Sequence, residues 1–233
     1  MPDAREIYQQ QPEVYDQLVR CEDYKGNLLP AIRKRVSLAG AEVVELGAGT
    51  GRVTMLLAPH VRKIRAFDAA EPMLEVARRH CERAGFENCV FELADNASIP
   101  VADACADLAI AGWTFGHQTV WTEHSWREPI ERALREMLRV LRPGGTAIVI
   151  ETLGTGHFTP FEPPIALARY YAMLEGEYAF ARDWIRTDYA FPSRLEGERM
   201  VRAFFGEDLA DAFVNGGDRV LTECTGLWWR LHP

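Results

Sequence analysis

The sequence lacks both a long hydrophobic run and an excess of basic residues. Its longest apolar stretches, such as residues 147–150, fall far short of the roughly 20 residues that a membrane-spanning helix needs. Lysines and arginines number 26 against 34 aspartates and glutamates, so the net charge is −8. Because nucleic-acid affinity comes largely from basic side chains that neutralise phosphates, we expect a small-molecule partner, no DNA and no membrane.

Cysteine is also scarce. The five cysteines are scattered, with no C-x-x-C pair and no histidine at the spacing of a zinc ligand. The first residues show none of the apolar core of a signal peptide. We therefore expect reduced thiols, a cytoplasmic location and no bound metal.

From about residue 42 the apolar pattern alternates short β-rich runs with helical periodicity, which is typical of βαβ units around a parallel sheet. The predicted strands cover residues 41–46, 63–68, 89–93, 106–113 and 146–152. Helices are predicted over residues 51–58 and 71–84, and from residue 129 to the R-P-G-G turn at 142–145.

The last 80 or so residues lose this alternation and gain aromatic side chains. They predict a helix from the Pro163-Pro164 pair to about Gly176, a strand over 184–191, two helices flanking Gly206 and a final strand over 219–229. With no repeat or linker visible, we expect one domain over residues 1–233. Its parts would be N-terminal cap helices (1–40), a cofactor-binding core (41–153), a helical and aromatic substrate lid (154–218) and the final strand (219–233).

The sharpest motif is E-L-G-A-G-T-G-R over residues 45–52, placed between the first predicted strand and the next helix. Glycine lets the backbone turn tightly and approach a ligand, and the start of a helix offers N–H groups to an anion. The dinucleotide fingerprint G-x-G-x-x-G would need a glycine where this chain has Arg52. A nicotinamide-dependent dehydrogenase is therefore disfavoured.

With this motif the sequence resembles the class I S-adenosylmethionine-dependent methyltransferases. Four further segments carry the resemblance in order: AFDAAEPML, ELADNASIP, DLAIAGW and LRVLRPGGTAIVIE. The resemblance implies an α/β fold with a seven-stranded, mostly parallel, doubly wound sheet, an antiparallel last strand and a helical lid inserted after strand five. It also implies S-adenosyl-L-methionine as cofactor and S-adenosyl-L-homocysteine as product.

The resemblance also implies roles for particular residues. Asp68 would hold the ribose hydroxyls, Asp95 the adenine amino group with Asn96 beside it, and Glu45 the methionine amino group. In many family members the segment ahead of the first strand covers the cofactor, which makes Tyr24, or alternatively Tyr15, a candidate cover. The expected cofactor-binding residues are Tyr24, Glu45, Gly47, Ala48, Gly49, Asp68, Ala69, Met73, Asp95, Asn96, Ala111 and Trp113.

Methyl transfer needs an in-line approach of the acceptor, and most acceptors must lose a proton. His117 lies in the loop immediately after the predicted fourth strand and is our candidate catalytic base; the alternative is that it only hydrogen-bonds the cofactor or a loop carbonyl. We expect methyl transfer to a small or medium-sized organic acceptor. The alternatives are a protein or RNA methyltransferase and a catalytically inactive cofactor-binding module.

Overall fold

The computed structural model describes residues 9–121 and 125–233. The first eight residues of the predicted N-terminal cap lie outside this range, as do residues 122–124 in the loop after the fourth strand. The rest of the cap forms two short helices ahead of the sheet, α1 (Pro12–Val19) and α2 (Leu28–Arg33).

A seven-stranded sheet forms within these described ranges. In chain order its strands are β1 (Glu42–Leu46), β2 (Lys63–Asp68), β3 (Cys89–Leu93), β4 (Ala106–Gly112), β5 (Leu141–Thr155), β6 (Ala181–Arg186) and β9 (Glu223–Leu231). Two short strands between β6 and β9, β7 (Tyr189–Ala190) and β8 (Val220–Leu221), pair with each other in a separate sheet. The spatial order in the seven-stranded sheet is β3-β2-β1-β4-β5-β9-β6. β9 runs antiparallel to both of its neighbours, β5 and β6, whereas the other pairs are parallel; this confirms the predicted mostly parallel sheet with an antiparallel last strand.

Helices connect the strands and cover both faces of the sheet. They are α3 (Arg52–Leu57), followed by a 3-10 turn at Ala58–His60, α4 (Glu71–Ala84), α5 (Gln118–Trp121), α6 (Arg127–Arg139), α7 (Ile165–Gly176), α8 (Arg194–Phe205) and α9 (Glu207–Gly216). As predicted, α4 carries a proline in its first turn and ends at Gly85, whose φ of 72° suits glycine.

Successive residues of β1 belong to opposite faces of the sheet. Val43 lies in a core cluster with Leu57 and Leu74, whereas Val44 lies in another with Leu134 from α6. Because both faces are covered, the inner strands are apolar on both sides rather than alternating. The ligand-accessible part of the sheet is therefore its carboxyl edge, where the βα loops meet.

Three predicted boundaries in the second half were wrong. The predicted strand over 184–191 is two strands, because β6 ends at Arg186 and β7 pairs with β8 in a separate sheet. The predicted final strand is likewise divided between β8 and β9. β5 begins at Leu141, before the R-P-G-G turn, since that turn forms an irregularity within the pairing of β5 with β4 instead of ending it.

The C-terminal helices pack on the N-terminal segment. Leu18 of α1 shares a third core cluster with Phe191, Val201 and Phe213. Among the described residues, no helix combines the length and apolarity that crossing a lipid bilayer would require.

Candidate functional site

A cavity of about 440 Å³ opens at the carboxyl ends of β1, β2 and β4; we call it the first cavity. Ten residues singled out from the sequence line it: Glu45, Gly47, Ala48, Gly49, Asp68, Ala69, Met73, Asn96, Trp113 and His117. The structure thus brings together at one edge of the sheet residues that lie up to 72 positions apart in the chain, from 45 to 117.

The glycine motif forms the floor of this cavity in a conformation that requires glycine. Gly47 and Gly49 have φ angles of 67° and 54°, in the left-handed region. A Cβ at Gly47 would lie 2.2 Å from the Thr114 Cγ2 atom, so this position also serves close packing against the loop after β4. A Cβ at Gly49 would instead lie 3.6 Å from the Met73 side chain, another cavity residue.

Asp68, at the end of β2, holds the glycine turn in place. Its Oδ2 atom accepts a hydrogen bond from the Gly49 N–H at 2.8 Å, and its Oδ1 atom accepts one from the Ala70 N–H at 2.9 Å. Burial raises the pKa of Asp68, and these backbone hydrogen bonds oppose the rise. Each carboxylate oxygen can accept more than one hydrogen bond, so Asp68 can both shape the turn and receive ligand hydroxyls.

Glu45 lies at the end of β1 and is 2% exposed. Its Oε2 atom accepts a 2.6 Å hydrogen bond from the Thr54 hydroxyl of α3. Burial raises the pKa of Glu45 to about 8, although the Thr54 hydrogen bonds lower it. A cation in the first cavity would stabilise the charged form of this carboxyl group.

Two buried oxygen atoms in the wall of the first cavity have no hydrogen-bond partner among the described residues, Asn96 Oδ1 and Thr50 Oγ1. A buried polar atom without a partner costs free energy that a ligand can recover by bonding to it. Asn96 therefore fits the expected contact to a polar ligand. Thr50 was not singled out from the sequence, although it lies inside the glycine motif.

Asp95, Tyr24 and Ala111 do not line the first cavity in the described part of the chain. Asp95 is exposed, and its Oδ1 atom accepts the Ala97 N–H at 2.8 Å. Tyr24 is 48% exposed beside Lys25, and Ala111 belongs to the buried core. Within the described part of the N-terminal segment, Tyr15 is the aromatic residue that lines the cavity.

Trp113 forms the wall beyond the end of β4. The Arg52 guanidinium carbon lies 3.4 Å from the centroid of its ring, and Arg52 Nη1 forms a 2.6 Å ion pair with Glu22. Sequence reasoning used Arg52 only to disfavour a dinucleotide site. It missed Glu22, because no local signal connects a buried acid to a partner 30 positions away.

His117 lies in the loop after β4. Burial lowers the pKa of this histidine, and a hydrogen bond with the Trp113 backbone opposes the shift. The imidazole is therefore mainly neutral at neutral pH, which is the form that can accept a proton.

His117 and Trp113 also line a second cavity, of about 570 Å³, which extends toward the start of α7. Its other walls include Val120, Glu151 of β5 and residues 164–167. Glu151 is 3% exposed, and its Oε1 atom accepts a 2.8 Å hydrogen bond from the Gly116 N–H. Burial raises the pKa of Glu151 to about 8. Sequence reasoning missed Glu151, because an acid within an apolar strand carries no motif.

The described residues contain no group of three or more histidine, cysteine, aspartate or glutamate side chains placed to hold a metal ion.

Comparison with protein families matches residues 43–145 to the family described as "Methyltransferase domain". A malonyl-[acyl-carrier protein] O-methyltransferase from Methylococcus capsulatus is 33% identical over 133 residues, which cover 56% of this chain and 44% of the relative. A demethylmenaquinone methyltransferase from Symbiobacterium thermophilum is 27% identical over 173 residues, covering 67% of this chain and 65% of the relative. The chain thus spans less than two thirds of each of these relatives.

Among solved structures, a SAM-dependent methyltransferase from Aquifex aeolicus superposes with a TM-score of 0.56, at 16% identity, over 99% of this chain and 94% of that one. At this identity the superposition shows the fold.

Proposed function

We propose that the chain is a class I S-adenosylmethionine-dependent methyltransferase and that it transfers a methyl group from S-adenosyl-L-methionine to a small or medium-sized organic acceptor; the family match over residues 43–145 and the methyltransferase relatives support this. The observation that carries this proposal is the wall that the two cavities share. Trp113 and His117 line both, so a donor in the first cavity and an acceptor in the second would meet at these residues.

The residues of the first cavity fit the cofactor. Asp68 would accept the two ribose hydroxyls, and the unpartnered Asn96 Oδ1 atom would accept from the adenine amino group. Glu45 would bind the methionine ammonium, whose positive charge favours the ionised carboxylate. The turn at Gly47–Gly49 lets the backbone approach, with Ala69 and Met73 beside it and Tyr15 in place of Tyr24 as the aromatic cover.

The cofactor supplies an electrophilic methyl group on a sulfonium ion. This chain would orient the acceptor for in-line attack from the second cavity. Bound in the first cavity, the cofactor would give its methyl group to an oxygen, nitrogen, carbon or sulfur atom of the acceptor, and the electron pair of the broken methyl–sulfur bond would stay on sulfur. The acceptor proton passes to the neutral imidazole of His117.

The relatives support a small organic acceptor, since their names specify a malonyl group on a carrier protein and demethylmenaquinone. Residues 164–167, at the start of α7, border the second cavity and support a substrate-facing role for at least this part of residues 154–218. We propose that the chain works as one domain in the cytoplasm.

Calorimetry with S-adenosyl-L-methionine, S-adenosyl-L-homocysteine and NAD tests the cofactor assignment, and binding of NAD alone would refute it. The purified chain is then given methyl-labelled cofactor with separate metabolite, protein and RNA fractions. We expect label in the metabolite fraction. Label in protein or RNA would favour the macromolecular alternatives, and cofactor binding without any transfer would favour an inactive binding module.

A further inference from the structure

We propose that the second cavity selects a neutral or cationic methyl acceptor with an apolar body, and that Glu151 binds an N–H or O–H group of this acceptor. The inference rests on the proposed function, and it concerns the second cavity alone.

The walls of the second cavity are mainly apolar. Val120 and Ile165 are 78% and 73% exposed, yet both border it, and Leu167 and Pro164 continue the same surface. Large apolar side chains left exposed around a cavity favour an apolar ligand, because its binding removes their surface from water. The body of the acceptor is therefore apolar.

Among its described lining residues the second cavity has one carboxyl group, that of Glu151, and no lysine or arginine. A buried anion without a counter-ion is strongly disfavoured. A carboxylate or phosphate acceptor would meet no cation there and would face Glu151, whereas an amine or a hydroxyl would find a hydrogen-bond acceptor.

Glu151 is also placed beside the loop that carries the reaction centre. Its Oε1 atom accepts a hydrogen bond from the N–H of Gly116, the residue before His117. A ligand group at Glu151 would therefore lie close to the wall that the two cavities share. Among the described residues, the titratable groups near Glu151 are Tyr170 of α7, whose hydroxyl is 3.4 Å away, and Tyr171 beside it, and His117 lines the same cavity. Burial raises the pKa of both tyrosines, which stay neutral.

The alternative role for Glu151 is purely structural, namely fixing the loop at Gly116. Three probes of matched shape separate the roles: 2-phenylethylamine, 2-phenylethanol and 3-phenylpropanoate, titrated into the chain saturated with S-adenosyl-L-homocysteine. We expect the amine and the alcohol to bind at least about tenfold more tightly than the carboxylate. A carboxylate that binds as tightly as the other two would overturn the proposal, whether or not any variant folds.

Glu151→Gln tests the residue itself. In this variant the preference for the amine over the carboxylate should shrink to within about threefold, while the affinity for S-adenosyl-L-homocysteine is retained. Glu162→Gln is the matched control, because Glu162 is an exposed acid that lies two positions before Pro164 and outside the cavity wall. An unchanged preference in Glu151→Gln, or an equal loss in Glu162→Gln, would contradict the inference.

A pH series gives a readout that a loop-fixing role would not produce. Because burial raises the pKa of Glu151 to about 8, binding a cationic amine below that pH must release a proton. The affinity for 2-phenylethylamine should rise with pH up to about 8 and then level off, and Glu151→Gln should abolish the rise. A pH-independent affinity in the unmodified chain would count against the inference. Failure of the proposed function would show separately, as absence of S-adenosyl-L-homocysteine binding.

Discussion

The two cavities differ in their chemistry although they share a wall. Among the described residues, the first presents two carboxyl groups, Glu45 and Asp68, and two buried oxygen atoms without hydrogen-bond partners. The second combines Glu151 with aliphatic side chains. The first therefore suits a polar ligand rich in hydroxyl and amino groups, and the second suits an apolar one. Chemistry that joins two such ligands belongs at their common boundary.

The cavities also differ in how their residues are distributed along the chain. The first is built chiefly from the loops that directly follow β1, β2 and β4, each next to a recognisable motif. The second joins the loop after β4 to the middle of β5 and the start of α7. Variants that affect the two cavities separately test this division.

The largest expected effect lies at the shared wall. His117→Ala should lower the rate of methyl transfer by about 100-fold or more, because a positioned base typically contributes that much. The rate is measured as label entering the metabolite fraction, and calorimetry should show unchanged affinity for S-adenosyl-L-homocysteine. His60→Ala, outside both cavities, is the control. An unaltered rate in His117→Ala would mean that His117 only supports the loop.

Asp68→Ala should weaken S-adenosyl-L-homocysteine binding at least tenfold, or about 1.4 kcal/mol, because it removes the acceptor for the ribose hydroxyls and loosens the turn at Gly49. The affinity of 2-phenylethylamine for the second cavity, measured without cofactor, should change little. Asp208→Ala replaces an exposed acid of α9 and should leave both affinities intact. Equal calorimetric affinities for Asp68→Ala and the unmodified chain would remove Asp68 from the cofactor site.

The smallest effect is expected for Gly49→Ala, whose new methyl group would stand near Met73 in the first cavity. We expect roughly a fivefold loss of cofactor affinity. Gly85→Ala is a matched control, because Gly85 has a φ of 72° and open space around its Cβ position. Both variants should lose about 1 kcal/mol of unfolding free energy, since alanine is strained in the left-handed region. Comparable cofactor affinities in the two variants would show that Gly49 matters only for backbone conformation.

The first half of the fold could be predicted because its signals are local. The strand runs, the proline and glycine that begin and end α4, and the glycine motif at residues 45–52 each act within a few positions. The same locality explains why Glu45, Gly49 and Asp68 could be placed together. Parallel strands end at one edge, so the residues at their ends must meet there.

Predictions failed where distant contacts decide the structure. The strand predicted over 184–191 divides after Arg186 because the next backbone groups find other partners. The Thr187 carbonyl accepts a hydrogen bond from the Asp23 N–H, and the Glu223 N–H donates to the Asp188 carboxylate instead of to Thr187. Tyr15 reaches the first cavity and Tyr24 does not, although the two lie on the same N-terminal segment. Nothing local distinguishes these two tyrosines.

The sequence by itself determined the alternation of strands and helices and the position of the glycine turn that lines the first cavity, because propensity, hydrophobic period and glycine conformation are properties of neighbouring residues. Only the tertiary structure decided that Glu151 faces a second cavity, that Arg52 stacks on Trp113, and that His117 lines both cavities. Burial, charge pairing and cavity shape arise from residues far apart in the chain, and they exist only once the sheet and its helices have packed.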